Sequence, residues 1–367
     1  MGLLEEEVSL MNRGVVDEKR RKLRGGSGVQ GRQPYVHATE KGKTPRYKSR
    51  ITPFHAGPIQ QETGDEREMI DAHIHIFPTY RSKKAVEWIK RYIPEINVSE
   101  TLTEEEIIET LASHGISHFF NYVYPLKPEE SRSLNRFNYE LSKKANNAIC
   151  FGSVHPGNAD RVEIVKEALL EFGLVGIKFH PFVQRFKVLD ERMEEIYNLL
   201  EKLNRPVIFH TGFERFYKMR LAPEEIETIA RRHPGLVIVV VHMFYPRIDR
   251  AFELVKKYEN IYLDATNIFS CYEEPPSGEN LFEATFVPEK NAYRIYFHHS
   301  VEELENYSHR VMFGSDYPVA MNNLDKIYAC MRDSDISATA KENIMEKTAK
   351  GFVNRFKPGF FQPDGTS

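Results

Sequence analysis

The stretch Met69-Ile-Asp-Ala-His-Ile-His-Ile-Phe77 decides how this chain is read. It opens a regular succession of short apolar runs and amphipathic stretches. Side chains alternate along a strand, so His73 and His75, two residues apart, point to the same side. Two neutral imidazoles side by side are a poor structural choice but half of a transition-metal site. Downstream, His210, His242 and Asp316 recur, each at the end of its own apolar run. That ligand set, at those places, reads as a metal-dependent enzyme.

Working outward, eight runs predict eight strands: Met69–Ile76, Ser117–Val123, Ile149–His155, Leu174–His180, Pro206–His210, Leu236–His242, Ile261–Ala265 and Val311–Ser315. Helical patterns stand between them, among them Glu104–His114, Arg161–Phe172, Arg192–Leu203, Pro223–Arg232 and Ile248–Tyr258, often followed by Gly or Pro. Strands alternating with helices imply right-handed βαβ units and a parallel sheet. Eight repeats over about 250 residues fit a (β/α)8 TIM barrel of the α/β class. A doubly wound open sheet is the rival. It lacks support, because no glycine-rich phosphate loop follows the first strand. Asn322–Arg332 and Ala338–Phe356 are further helical patterns.

Three segments are expected: a loosely ordered or docked extension over residues 1–68, the barrel over 69–356 and an irregular tail over 357–367. The extension carries Arg20-Arg-Lys-Leu-Arg24 and Gly25-Gly-Ser-Gly28, with no sustained apolar period. A basic arm for RNA is its minor reading. Pro53-Phe-His-Ala-Gly57 can lie against the barrel or a neighbouring subunit. Between the seventh and eighth strands, residues 266–310 form an unusually long connection, read as a lid or an oligomer contact. The adjacent pair His298-His299 within it is read as loop, since neighbours on an extended segment face opposite ways.

Composition narrows the class. With 41% hydrophobic residues among 367, the chain can build a substantial core. A formal net charge of -3 gives no global case for nucleic acid or an anionic membrane. Cys150, Cys271 and Cys330 are far apart and odd in number, which argues against a disulfide framework and for a reducing compartment. No signal-like apolar segment opens the chain and no apolar run reaches about 18 residues, so a cytoplasmic protein is expected.

In a parallel barrel the active site sits at the C-terminal strand ends. There stand His73 and His75, Lys178 and His180, His210, His242 and Asp316. An imidazole after five apolar residues is costly to bury unless paired. One such residue is ordinarily a satisfied core histidine; five polar strand ends at one barrel mouth argue for a site.

The pattern resembles the amidohydrolase superfamily, in its amidohydrolase-related branch of metal-dependent hydrolases and nonoxidative decarboxylases. The resemblance covers about residues 69–356. Its motifs are His73-Ile-His75, Gly176-Ile-Lys-Phe-His-Pro181, Pro206-Val-Ile-Phe-His-Thr-Gly212, Val241-His242 and Gly314-Ser-Asp-Tyr-Pro318. It implies a distorted (β/α)8 barrel and a divalent metal, usually zinc with manganese as the alternative, held by His73, His75, His210 and Asp316. It also implies a catalytic or second-metal role for His242, and a possible homodimer, since members of the branch often dimerise. In binuclear members of the superfamily a lysine at the end of strand four is carboxylated and bridges two metals, which makes Lys178 the ambiguous residue. A single metal is the expectation, with Lys178 hydrogen-bonded nearby or contacting an anionic substrate.

The chemistry supports these roles independently. A divalent metal with N and O ligands can keep a position open for water and lower its pKa towards ~7. Asp316 can touch the metal and take the water's proton, and His242 can polarise a carbonyl or protonate a leaving group. His180 is expected to line the substrate pocket. Arg185 is expected to contact a substrate carboxylate and Phe77 to supply an apolar wall. The leading expectation is hydrolysis of a C–N or C–O bond in a small, carboxylated compound. The rival is nonoxidative decarboxylation of an aromatic or unsaturated acid, and the third reading is a noncatalytic binding barrel. Expected partners are a small-molecule substrate and a second copy of the chain, with neither membrane nor nucleic acid.

Overall fold

The computed structural model describes residues 68–90, 98–99, 101–217, 219–245, 247–269, 285–287, 292–294, 301–320, 322–334 and 336–361. The extension through residue 67, with Arg20–Arg24 and Pro53–Gly57, lies outside the described residues. So do Lys218, Cys271, His298-His299 and the tail after residue 361.

Each of the eight apolar runs overlaps a parallel strand, the second and third strands starting one residue before their runs. The strands are β1 (Met69–Ile74), β2 (Ile116–Asn121), β3 (Ala148–Cys150), β4 (Ile177–Phe179), β5 (Val207–His210), β6 (Ile238–Val241), β7 (Ile261–Asp264) and β8 (Val311–Met312). Ladders join β1 to β2 to β3, and β4 through to β8 in order. Backbone hydrogen bonds bridge the two sheets at both junctions. Gly152 N–H donates to Gly176 O (2.9 Å) and Lys178 N–H to Gly152 O (2.8 Å); Ala72 N–H donates to Phe313 O (2.7 Å) and Asp316 N–H to His73 O (2.9 Å). The order therefore runs from β1 to β8 and back to β1, the α/β TIM barrel expected. An open doubly wound sheet would leave two free edges. The barrel is distorted where β1 shifts register against β2 between Asp71 and Ile74.

The strand period divides the core in two. Ile70, Ala72, Phe120, Tyr122, Ile149, Phe151, Ile208, Val239, Val241 and Met312 fill the inside, closed by Phe352, Val353 and Phe356 of the last helix. Phe119, Ala148, Cys150, Phe179, Val207, Phe209, Ile238, Val240, Ile261 and Leu263 face outward onto the helices. Continuing the inward parity of β5 from Ile208 brings His210 to the barrel interior.

The helices follow their signals. Glu104–Ser113 starts at a capping box, Glu106 N–H on the Thr103 hydroxyl and Thr103 N–H on the Glu106 carboxylate, and buries Ile107 and Leu111 one turn apart. Pro223–Arg232 begins with Pro223 in its first turn, and Ile248–Lys257 buries Ile248, Ala251, Phe252 and Val255. Two expected helices are interrupted. Arg161–Lys166 passes into a wide turn over Glu167–Glu171, and Ala338–Glu342 into another over Asn343–Lys347 before Thr348–Phe356. The buried residues keep a spacing of four through both turns (Ile164 and Ala168; Ala340, Ile344 and Thr348), so patterning does not reveal them. In the long connection lie the antiparallel pair Thr285–Val287 and Ala292–Arg294 and the helix Val301–Tyr307. No described helix is long and apolar enough to cross a membrane.

Asp71 fastens the β1–β8 junction. Its carboxylate accepts from His73 N–H (3.1 Å), Ser315 N–H (3.0 Å) and the Tyr328 hydroxyl (3.0 Å). Burial pushes this carboxyl up from 3.8 to about 6 against those bonds. The folded state thus keeps the proton to higher pH than the unfolded chain, and the stability this group contributes falls as pH rises from 3.8 to about 6. Asp71→Asn keeps an acceptor and removes the titration. Thermal unfolding at about pH 4.5 and about pH 7.5 is expected to show a smaller loss for the variant than for the wild type. An equal loss in both would assign the pH dependence to other groups.

Candidate metal centre

The site forms at the C-terminal strand ends, where backbone geometry is unusual. Phe213, His242, Asn267 and Asp316, in the segments following β5, β6, β7 and β8, all have positive φ (52°, 59°, 63° and 68°). Non-glycine residues rarely adopt this conformation, and such strain collects at functional sites.

Hydrogen bonding fixes which nitrogens are available. His75 Nδ1 lies 2.8 Å from the Tyr122 carbonyl, which only accepts, so Nδ1 carries the proton and Nε2 is bare. His73 Nδ1 lies 2.6 Å from Asp264 Oδ2, which likewise leaves its Nε2 bare. The two Nε2 atoms are 3.1 Å apart, and Asp316 Oδ1 stands 3.2 Å from His75 Nε2 and 3.5 Å from His73 Nε2. Burial opposes the charge on Asp316, yet the polar surroundings, the field of Lys178 among them, hold its carboxyl below the usual value. Three acceptors therefore converge in a buried place with no donor among them. A proton on one imidazole would satisfy one contact and leave the rest opposed. The donor set fits a divalent cation.

His210 and His242 form a second pair. His242 Nδ1 donates to Thr266 O (3.0 Å), so its Nε2 accepts from His210 Nδ1 at 3.2 Å. His210 Nε2 is thereby left bare and buried, with no hydrogen-bond partner among the described residues. Burial pulls His210 well below its ordinary pKa and brings His242 down to about 4, so both are neutral. Of the expected ligands, His73, His75 and Asp316 bring one atom each within 4.8 Å of one another. His210 stands outside that group, its ring 4.5 Å from that of His242, which in turn lies 5.5 Å from the His73 ring.

The family model described as Amidohydrolase (Amidohydro_2) matches residues 70–355. The chain belongs to this amidohydrolase family. It is similar in fold to an uncharacterized TIM-barrel protein, Bb4693, from Bordetella bronchiseptica (TM-score 0.60, 17% identity, 78% of this chain and 99% of that one). A dihydroxybenzoic acid decarboxylase from Polaromonas sp., with bound manganese and 2-nitroresorcinol, superposes at TM-score 0.57 (14% identity, 81% and 100%). A 5-carboxyvanillate decarboxylase from Novosphingobium aromaticivorans, complexed with manganese and 4-hydroxy-3-methoxy-5-nitrobenzoic acid, gives 0.53 (15%, 78% and 96%). Among curated proteins nothing matches.

In this member of the family the remaining predicted residues divide. Lys178 is wholly buried, its Nζ 4.7 Å from the Tyr122 ring centre and without a hydrogen-bond partner among the described residues. Burial lowers it to about 7 against the fields of Asp264 and Asp316. His180 stacks on His210 at 3.6 Å and is ringed by Tyr124, Tyr217 and Phe182. Phe77 stacks on His75 at 5.4 Å. Arg185 is exposed, just past the short helix Pro181–Gln184, with φ 54°.

Two residues of the site carried no expectation. Asp264 holds His73, and Asn267 Nδ2 donates to Asp316 Oδ2 at 2.7 Å. Asp264 was visible as a carboxylate inside an apolar run, whereas Asn267 opens the long connection with no period to mark it. Gly314 is required by this packing. A Cβ there would stand 2.1 Å from Thr266 Oγ1 and 2.6 Å from His73 Cβ. Gly314→Ala is expected to destabilise the fold by ~1–3 kcal/mol and to reduce metal content, measured by thermal unfolding and elemental analysis. Wild-type values for both would mean that the strand ends can part freely.

Proposed function

We propose that the chain is a hydrolase using one zinc ion, held by His73, His75, His210 and Asp316, to cleave a C–N or C–O bond in a small, carboxylated compound. The observation that carries the reading is the convergence of His73 Nε2, His75 Nε2 and Asp316 Oδ1 with no donor between them. When bound, the cation supplies Lewis-acid polarisation of a substrate oxygen and lowers the pKa of water towards ~7. Asp316, ionised and steadied by Asn267, takes the proton of the attacking water and passes it to the departing nitrogen or oxygen. His242, with Nε2 engaged by His210, orients that imidazole rather than delivering a proton. Asp264 and the Tyr122 carbonyl keep His73 and His75 in their ligating tautomers.

Decarboxylation is the second reading, favoured by the aromatic walls. Phe77 lies parallel to His75 (6° between planes), and Tyr124 stands edge-on to both His75 and His180, as suits a flat aromatic acid. There Asp316, protonated, gives its proton to carbon. Two of the similar folds are decarboxylases with manganese. Protein purified without chelator is expected to contain about one zinc per chain, to lose turnover on dialysis against a chelator and to regain it with zinc. Metal-loaded protein, offered aromatic acids with their amides and esters, decides between the reactions. Amine or alcohol release without CO2 supports hydrolysis; CO2 release alone replaces it with decarboxylation.

A further inference from the structure

Lys178 is a cationic side chain at the centre of the site, and the described residues supply no acceptor for it. Its residue is 0% exposed and its Nζ has no hydrogen-bond partner among the described residues. The nearby carboxylates are committed elsewhere. Asp264 gives Oδ2 to His73 and Oδ1 to the N–H and hydroxyl of Thr266. Asp316 gives Oδ2 to Asn267 and turns Oδ1 to the bare nitrogens of His73 and His75, where the cation is proposed. The Tyr122 ring face beneath Nζ favours a positive charge without taking a hydrogen bond. A buried amine with three unused donors is costly unless a ligand completes it.

The neighbours indicate the ligand's chemistry. His180 Nδ1 and His210 Nε2 are likewise buried and without partners among the described residues, on rings stacked 3.6 Å apart. Around His180 the rings of Tyr124, Tyr217 and Phe182 form an apolar, planar surround. Arg81, the buried guanidinium near this mouth, is taken by the Tyr124 carbonyl and Glu130. One lysine with the single imidazole of His180 beside it suits a singly charged, planar oxyanion better than a phosphate, which calls for more cationic donors.

We propose that Lys178 anchors a carboxylate of the substrate, with His180 beside it and the aromatic rings holding the attached planar body. The proposal rests on the reading of this mouth as a substrate site and narrows that substrate to a monocarboxylate not itself held by the metal.

The test compares benzoate with its neutral isostere benzamide on the full-length, metal-loaded protein, by calorimetry, in the wild type and in Lys178→Met. Methionine keeps the length of the chain and removes the charge, so the interior stays filled. Wild type is expected to prefer benzoate by about ten- to a hundredfold. In Lys178→Met that preference should vanish with metal content and melting temperature unchanged. Benzoate preference retained in Lys178→Met would overturn the proposal and leave the metal as the carboxylate's holder. No preference in the wild type would overturn it as well. A fall in metal content in Lys178→Met would reassign the lysine to the metal site, and a carbamate signal in 13C NMR after labelled bicarbonate would do the same. Failure of the hydrolase reading registers separately, as absent turnover with the benzoate preference intact.

Discussion

Asp316→Asn is expected to lower kcat/KM at least about a thousandfold while leaving the unfolding transition cooperative and within a few degrees of the wild type. Asp316 is the only anionic member of the converging triad, and in the proposed reaction it is also the group that moves protons. The substitution removes both functions at once and changes the side chain by one atom. The fold has little reason to notice. Asparagine tolerates the positive φ of 68° better than most residues. The bond from its backbone N–H to His73 O is untouched, and the amide oxygen can still accept from Asn267. The measurement is kcat/KM on the substrate class found in the screen, beside metal content and circular dichroism. Loss of cooperative unfolding would make Asp316 structural. Activity within tenfold of the wild type, at full metal content, would place the base elsewhere.

What the sequence showed, and what it hid, follows from the ranges of the forces involved. The eight strands were legible because burial on both faces forces short apolar runs, and the helices because one apolar stripe repeats every 3.6 residues. The strand ends were legible because a histidine after Val-Ile-Phe or Val-Val-Val breaks such a run. Hence His73, His75, His210, His242, Lys178 and Asp316 were placed at one mouth; all six are buried, and contacts join His73 to His75, Asp316 and His242, and His242 to His210. Pairings across the barrel were not legible. That His242 binds His210, and that Asp264 binds His73 across 191 positions, depends on ring closure and on side-chain directions at residues of positive φ. The wide turns at Glu167–Glu171 and Asn343–Lys347 were hidden because they preserve the buried stripe that marks a helix.

Asp264→Asn is the sharper test of how the site is held, and it is expected to weaken metal affinity about ten- to a hundredfold in chelator competition. The wild-type carboxylate does two incompatible jobs for an amide. Oδ2 accepts from His73 Nδ1 at 2.6 Å, while Oδ1 accepts from Thr266 N–H at 2.9 Å and from the Thr266 hydroxyl. An amide has one acceptor. If its oxygen serves Thr266, its NH2 faces His73 Nδ1, which must then become the bare nitrogen. The proton moves to Nε2, where the cation would sit. If its oxygen serves His73, the NH2 confronts the Thr266 N–H in a site with no exposure, and the Asp264–Thr266 turn, closed in by Gly314, must shift. Either orientation degrades His73 as a ligand without removing a ligand. Thr266→Val separates the two routes. It drops the hydroxyl but keeps the backbone N–H, so it should lower stability with little change in metal affinity. In Asp264→Asn, by contrast, NMR of the His73 ring should show the proton relocated to Nε2. Unchanged affinity in Asp264→Asn with an unchanged ring tautomer would mean that the triad holds its cation through position alone.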